Sequence, residues 1–156
     1  MQTRSITDHL VLFFSTGFYS GYSPVAPGTA GSVVGVGIFW LIHGLPAWLY
    51  ILITLAIVLI GIPLSTRAER LLGQKDAKPI VIDEIAGQLI ALFMAPLTPV
   101  AVIGGFLLFR LFDIWKFGPM ARLEKLPGGT GIMLDDVAAG LFALITLQLL
   151  IQLVPQ

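Results

Sequence analysis

Five acidic side chains occupy positions where an apolar chain is not expected to carry charge. Asp83 and Glu84 are neighbours within the run Ile80-Val81-Ile82-Asp83-Glu84-Ile85-Ala86-Gly87-Gln88. Asp113 follows Arg110-Leu111-Phe112, and Asp135-Asp136 follow Gly131-Ile132-Met133-Leu134. An ionised group in lipid or in a core costs several kcal/mol unless it is paired or coordinated. Carboxylates with Gln88, and no His or Cys among them, form an all-oxygen donor set. That set suits Mg2+, which takes carboxylate, water and phosphate oxygens; zinc would want His or Cys. There is no cysteine, and the two histidines are His9 and His43. Disulfides, thiolate metal sites and cysteine nucleophiles are therefore excluded. Arg110 and Lys116 add cations suited to phosphate, Arg with two parallel donors. Carboxylates, a hard cation and Arg/Lys together read as phosphoryl chemistry on a lipid.

Blander readings exist for some of these residues. Asp135-Asp136 also fits an N-cap with a favourable helix-dipole contact. Arg110 and Asp113, three apart, also fit an ordinary ion pair on one helical face. Lys75, Asp76 and Lys78 read as a solvated loop. Asp83-Glu84 beside Gln88 has no such explanation, because one cap does not need two acids and an amide.

The elements that must position these groups follow from composition. The 156 residues are 56% hydrophobic and 12% charged, with mean hydropathy +0.93. A soluble domain carries about 25% charged residues. The expected fold is all-α, a polytopic membrane helical bundle formed by residues 1–156 as one domain. Zero net charge gives no sign of a nucleic-acid partner. No cleavable signal peptide is expected at the polar N-terminus.

Four to five membrane legs are expected. Leu10 to Phe18 fits an interfacial helix. Gly21 to Ser32 holds two prolines and three glycines, so no regular element is expected before about Gly28. Thr29 or Ser32 then fits an N-cap, and the turn could offer backbone N–H groups to an anion. Val33 to Ile42 is short for a crossing, which takes about 20 residues, so this first leg is either short and tilted or re-entrant. Ala47 to Leu64 is a full span ended at Pro63-Leu64-Ser65, with a charged helix-favouring segment after it. Ile80 to Ala95, Val100 to Phe112 and Val137 to Val154 are the remaining legs, and Trp115 to Thr130 reads as a loop.

Charge sorts by side. The turns His43 to Pro46 and Pro96 to Pro99 carry no Lys or Arg, and all nine basic and all nine acidic residues fall on the other face. The positive-inside rule makes that face cytoplasmic. The five acids, distant in sequence, are thus expected at one depth at a membrane surface. A carboxylate-lined ion or metal transporter is the alternative, but it would place acids near the midplane.

Four ordered blocks carry a family resemblance: Pro24-Val25-Ala26-Pro27-Gly28-Thr29-Ala30-Gly31-Ser32, Lys78 to Gln88, Phe109-Arg110-Leu111-Phe112-Asp113-Ile114, and Gly128 to Gly140 with Asp135-Asp136 inside it. The chain resembles the phosphatidylglycerophosphatase A family, Mg2+-dependent lipid phosphatases of the bacterial inner membrane. One departure is Phe117, where the family usually has a proline after the lysine. The resemblance implies removal of the terminal phosphate of phosphatidylglycerophosphate at the cytoplasmic face. It points to Asp83, Glu84, Asp135 and Asp136 as Mg2+ ligands, and to Asp113 as a further ligand or general base. Arg110 and Lys116 would hold phosphate oxygens, with the N-terminal turn at Thr29 and Ser32 adding donors. Direct attack by water and an aspartyl-phosphate intermediate both stay open.

Overall fold

The computed structural model describes residues 5–116 and 120–153; Phe117 and Val154 fall outside them. Among the described residues the chain is all-helical, with seven α-helices and no strand. They are α1 (Ile6–Ser15), α2 (Pro27–Ile42), α3 (Ala47–Leu72), α4 (Ile82–Ala91), α5 (Pro99–Trp115), α6 (Met120–Leu123) and α7 (Gly129–Leu153), with a 3-10 turn at Ser20–Tyr22.

The short helix α4 is the centre. Ile82, Asp83, Ile85, Ala86, Gly87, Gln88, Leu89 and Ala91 are all buried, so it is covered on nearly every side. Helices α7, α2, α3 and α5 all pack against it. At 1.5 Å per residue its ten residues extend only about 15 Å, half the ~30 Å hydrocarbon core. The expected leg from Ile80 to Ala95 therefore stops early, and Met94 turns the chain with φ 58°.

Two helices are long and apolar enough to cross a membrane: Ala47–Leu72, with 26 residues, and Gly129–Leu153, with 25. Their outer faces stay apolar and exposed. Trp48, Leu52, Leu59, Ile145 and Leu149 are each more than half exposed. On α5 the residues Val100, Ile103, Leu107 and Leu111 repeat at helical spacing and also face outward. So large an apolar surface is unfavourable in water and favourable in lipid.

Helix α3 runs through Pro63 rather than ending there. Proline removes one helical N–H, but tertiary contacts hold the continuation. The Thr66 hydroxyl donates to the Ile62 carbonyl oxygen at 2.8 Å and accepts from the Gly129 N–H at 2.9 Å. Arg67 pairs with Asp8 at 2.8 Å, tying α3 to the capping box of α1.

The crossing of α4 and α7 is close enough for backbone to meet backbone. Gly140 on α7 faces Gly87 on α4, and a Cβ there would stand 2.5 Å from the Gly87 carbonyl oxygen. The helices touch through their backbones, which only glycine permits. Ile132, Asp136, Gly140 and Ala143 share the buried face of α7, so this contact carries Asp136 to the start of α4.

Candidate active site

Asp83 and Glu84 occupy the first turn of α4. Carboxylates there are favoured by the helix dipole, and the N–H of Val81 anchors the entry by donating to the Ser15 carbonyl at 2.9 Å. Asp136 arrives from α7. Asp83, Glu84 and Asp136 each offer an oxygen within 4.8 Å of the others. Two like charges at that separation repel by about 3 kcal/mol at an effective dielectric of about 20. Asp83 Oδ1, Glu84 Oε2 and Asp136 Oδ2 are buried and have no hydrogen-bond partner among the described residues. Three crowded oxygens that no protein donor satisfies are a fit for a hard divalent cation.

Helix α5 supplies the cations beside them. The Phe109 ring lies against Gly87, where a Cβ would meet its edge carbons. That contact sets the height of the next residue. Arg110 Nη1 lies 2.6 Å from Asp113 Oδ2 and 4.0 Å from Glu84 Oε1. Lys116 caps α5 in a left-handed conformation, φ 39°. Its Nζ bridges Asp135 Oδ2 at 2.8 Å and Glu124 Oε1 at 3.1 Å. Burial works against the Lys116 charge, but the bonds to Asp135 and Glu124 outweigh it and hold the ammonium above its usual range.

These groups line one cavity of about 630 Å3. The walls include Asp83, Glu84, Arg110, Asp113, Lys116, Asp135 and Asp136, so seven of the nine residues expected at the site are brought together. Thr29 and Ser32 are not in the wall. Helix α2 starts earlier than expected, at Pro27, with Ala26 as its N-cap in a left-handed conformation. Ser32 is fully buried, and its hydroxyl donates to the Gly28 carbonyl at 3.0 Å. Ala26, Pro27 and Gly28 line the cavity instead. A Cβ on Gly28 would meet Glu84 Oε1 and stand 3.1 Å from both Arg110 Nη atoms. Asp135 and Asp136 do not cap α7; they lie in its second turn, 4% and 3% exposed. Of this pair only Asp136 joins the three-carboxylate group, because Lys116 holds Asp135.

The loop residues Lys75, Asp76 and Lys78, read above as solvated, also line the cavity, as do Glu124 and Lys125. Burial pushes the Asp76 carboxyl up; Lys116 opposes that shift, while Glu124 and Glu69 add to it.

The family model for Phosphatidylglycerophosphatase A matches residues 13–151. The chain belongs to the phosphatidylglycerophosphatase A family. Phosphatidylglycerophosphatase A of Escherichia coli (strain K12) is 37% identical over 131 residues, covering 83% of this chain and 76% of that protein. The Haemophilus influenzae protein of the same name is 38% identical over 135 residues, 84% of this chain and 82% of its own length. A "Putative phosphatidylinositol-3-phosphatase" of Bacteroides thetaiotaomicron is 37% identical over 147 residues, 87% of this chain and 90% of that protein. No solved structure matches the chain. The family assignment makes the chain a phosphatase of phosphate monoesters and gives no support to a carboxylate-lined transporter.

Proposed function

We propose that the chain hydrolyses the terminal phosphate of phosphatidylglycerophosphate, giving phosphatidylglycerol and inorganic phosphate, at the cytoplasmic face of a bacterial inner membrane. The observation that carries the reading is the three-carboxylate group Asp83, Glu84 and Asp136 beside Arg110 in one cavity. The cavity is polar and charged, whereas the exposed faces of α3, α5 and α7 are apolar. That contrast suits a substrate with its tails in lipid and its phosphate at the bilayer surface. The basic residues of the loop 73–81 and of Lys116 to Lys125 support a cytoplasmic orientation by the positive-inside rule. We read α3 and α7 as full crossings, α2 and α5 as shorter tilted ones, and α4 as a short membrane-embedded helix carrying the site.

Asp83, Glu84 and Asp136 would hold Mg2+, with Asp135 adjacent. When bound, the ion supplies Lewis-acid polarisation of the phosphoryl group and a more acidic water. The protein's own residues do the rest. Arg110 presents its guanidinium fork to two phosphate oxygens and stabilises charge as it develops. Lys116, held charged by Asp135 and Glu124, adds a second cation at the same end. Asp113, with one oxygen held by Arg110, would take the proton of the attacking water on its other oxygen. The water oxygen bonds to phosphorus as the ester bond from phosphorus to the glycerol oxygen breaks, and the departing oxygen takes a proton from solvent to become the alcohol of phosphatidylglycerol.

The Bacteroides relative favours one second reading, a phosphoinositide monoester as substrate. Purified protein offered phosphatidylglycerophosphate and phosphatidylinositol 3-phosphate in the same micelles decides between them. The proposal expects kcat/KM to be larger by at least about tenfold on the first, a 1.4 kcal/mol preference. A reversed ratio would transfer the function to the phosphoinositide.

A further inference from the structure

The cavity holds more cations than the scissile phosphate needs. At its carboxylate end Arg110 and Lys116 are both ion-paired. Lys75 and Lys78, in the loop between α3 and α4, and Lys125, just after α6, line the same cavity. All three are exposed, and none forms an ion pair among the described residues. The cavity volume of about 630 Å3 lies in the range of pockets for whole small molecules, roughly 300–1,000 Å3. A single phosphate group would leave much of it unfilled.

The substrate of the proposed reaction carries two phosphates. One is the terminal monoester that is removed. The other is the diester joining the headgroup to the lipid glycerol, and it stays on the product with one negative charge. We propose that Lys75, Lys78 and Lys125 form a second phosphate subsite that takes this diester while the monoester lies between Arg110 and Lys116. The assignment rests on the phosphatase reading and adds to it the source of headgroup selectivity. Lysine suits the role: it is a compact point charge on a flexible stem, able to hold a phosphate without requiring a fixed two-oxygen geometry. Its release of the product is easier for the same reason. The carboxylate end has no cation to spare for a second phosphate, since Arg110 and Lys116 are already shared with protein carboxylates.

Lysines at a membrane surface also attract anionic lipid without any subsite. A binding experiment separates the two. Two soluble phosphonate probes, with CH2 in place of the scissile ester oxygen, resist turnover. One mimics glycerol 3-phosphate, which has the terminal phosphate alone. The other mimics glycerophosphoglycerophosphate, the deacylated headgroup with both phosphates. Each is titrated by calorimetry into the full chain in neutral detergent with Mg2+. The two-phosphate probe should bind at least about tenfold more tightly, as expected of charge-assisted contacts. In Lys75→Gln/Lys78→Gln/Lys125→Gln that advantage should vanish. Because all three side chains are exposed, an unchanged melting temperature is expected to accompany the loss. Equal affinities in the wild type would overturn the subsite, as would an advantage that survives the triple substitution. So would an equal weakening of both probes, which is the mark of general attraction. Phosphate release by the same preparation reports on the phosphatase reading separately, so a failed subsite and a failed reaction are distinguishable.

Discussion

Gly140 of α7 rests on the backbone of Gly87 in α4, with room for no side-chain atom between them: a Cβ on Gly140 would stand 3.1 Å from the Gly87 Cα and closer still to its carbonyl oxygen. Asp136, one turn before Gly140 on the same face, reaches Asp83 and Glu84 because of this contact. Gly140→Ala should push the helices apart. Overpacking of this kind costs about 1–3 kcal/mol, and misplacement by about 1 Å can cost on the order of a hundredfold in rate. Thermal melts in detergent and phosphate-release kinetics should both show the loss. A Gly140→Ala enzyme with wild-type kcat would show that the crossing does not set the carboxylate geometry.

Asp136→Asn should produce a crossover in stability. It removes one of three crowded carboxylates, so in EDTA the variant should melt above the wild type, relieved of like-charge crowding and of the burial of an acid. With Mg2+ the order should reverse, since a ligand that binds only the folded state stabilises it and the variant lacks one donor. Melting curves of both proteins, with and without Mg2+, check this. Parallel curves that never cross would remove Asp136 from the ion site.

The place of Asp83 and Glu84 was legible in the sequence because charge inside an apolar run has few physical explanations. Seven of the twelve charged cavity residues were legible for the same reason, and because the ends of the apolar legs on the basic side meet at one level. Other features depended on tertiary contact. Beyond Gln88 the run to Ala95 is apolar throughout, and composition does not reveal that the helix stops after Ala91. Gly128-Gly129-Thr130-Gly131 has the composition of a loop, yet α7 begins at Gly129, where Thr66 of α3 accepts its N–H. The start of α2 was misplaced because Thr29 and Ser32 are good caps by propensity, while Pro27 at the first helical position is equally favourable. Lys75 and Lys78 looked solvated because nothing local links a loop to a cavity formed by α4, α5 and α7.

Arg110→Lys keeps the charge and loses the planar fork. Arg110 holds Asp113 at 2.6 Å while lying 4.0 Å from Glu84, a reach to two groups that an ammonium does not reproduce. The expected result is a fall in kcat on the order of a hundredfold, as for loss of one transition-state donor, with KM changed much less. A lysine variant with full kcat would show that charge alone suffices there.

The link between α1 and α3 should be pH-sensitive. Hydrogen bonds from Arg67 and Ser5 hold the Asp8 carboxyl down at about 2, against an ordinary value of 3.8. A depressed folded-state value means that the contribution is fully present above about pH 4 and is lost as pH falls toward 2. The melting-temperature gap between wild type and Asp8→Asn should therefore narrow from pH 5 downward, and it should be small because Arg67 is half exposed to solvent. A gap that stays constant over that interval would contradict the Asp8–Arg67 pairing.

The most direct test is phosphate release from phosphatidylglycerophosphate by the purified chain and by Asp83→Asn, each with Mg2+ and then with EDTA. Release by the wild type with Mg2+, its abolition by EDTA, and no release by a folded Asp83→Asn variant are expected. Wild-type release that persists in EDTA, or full activity of Asp83→Asn, would contradict an ion-dependent reaction at the three-carboxylate group.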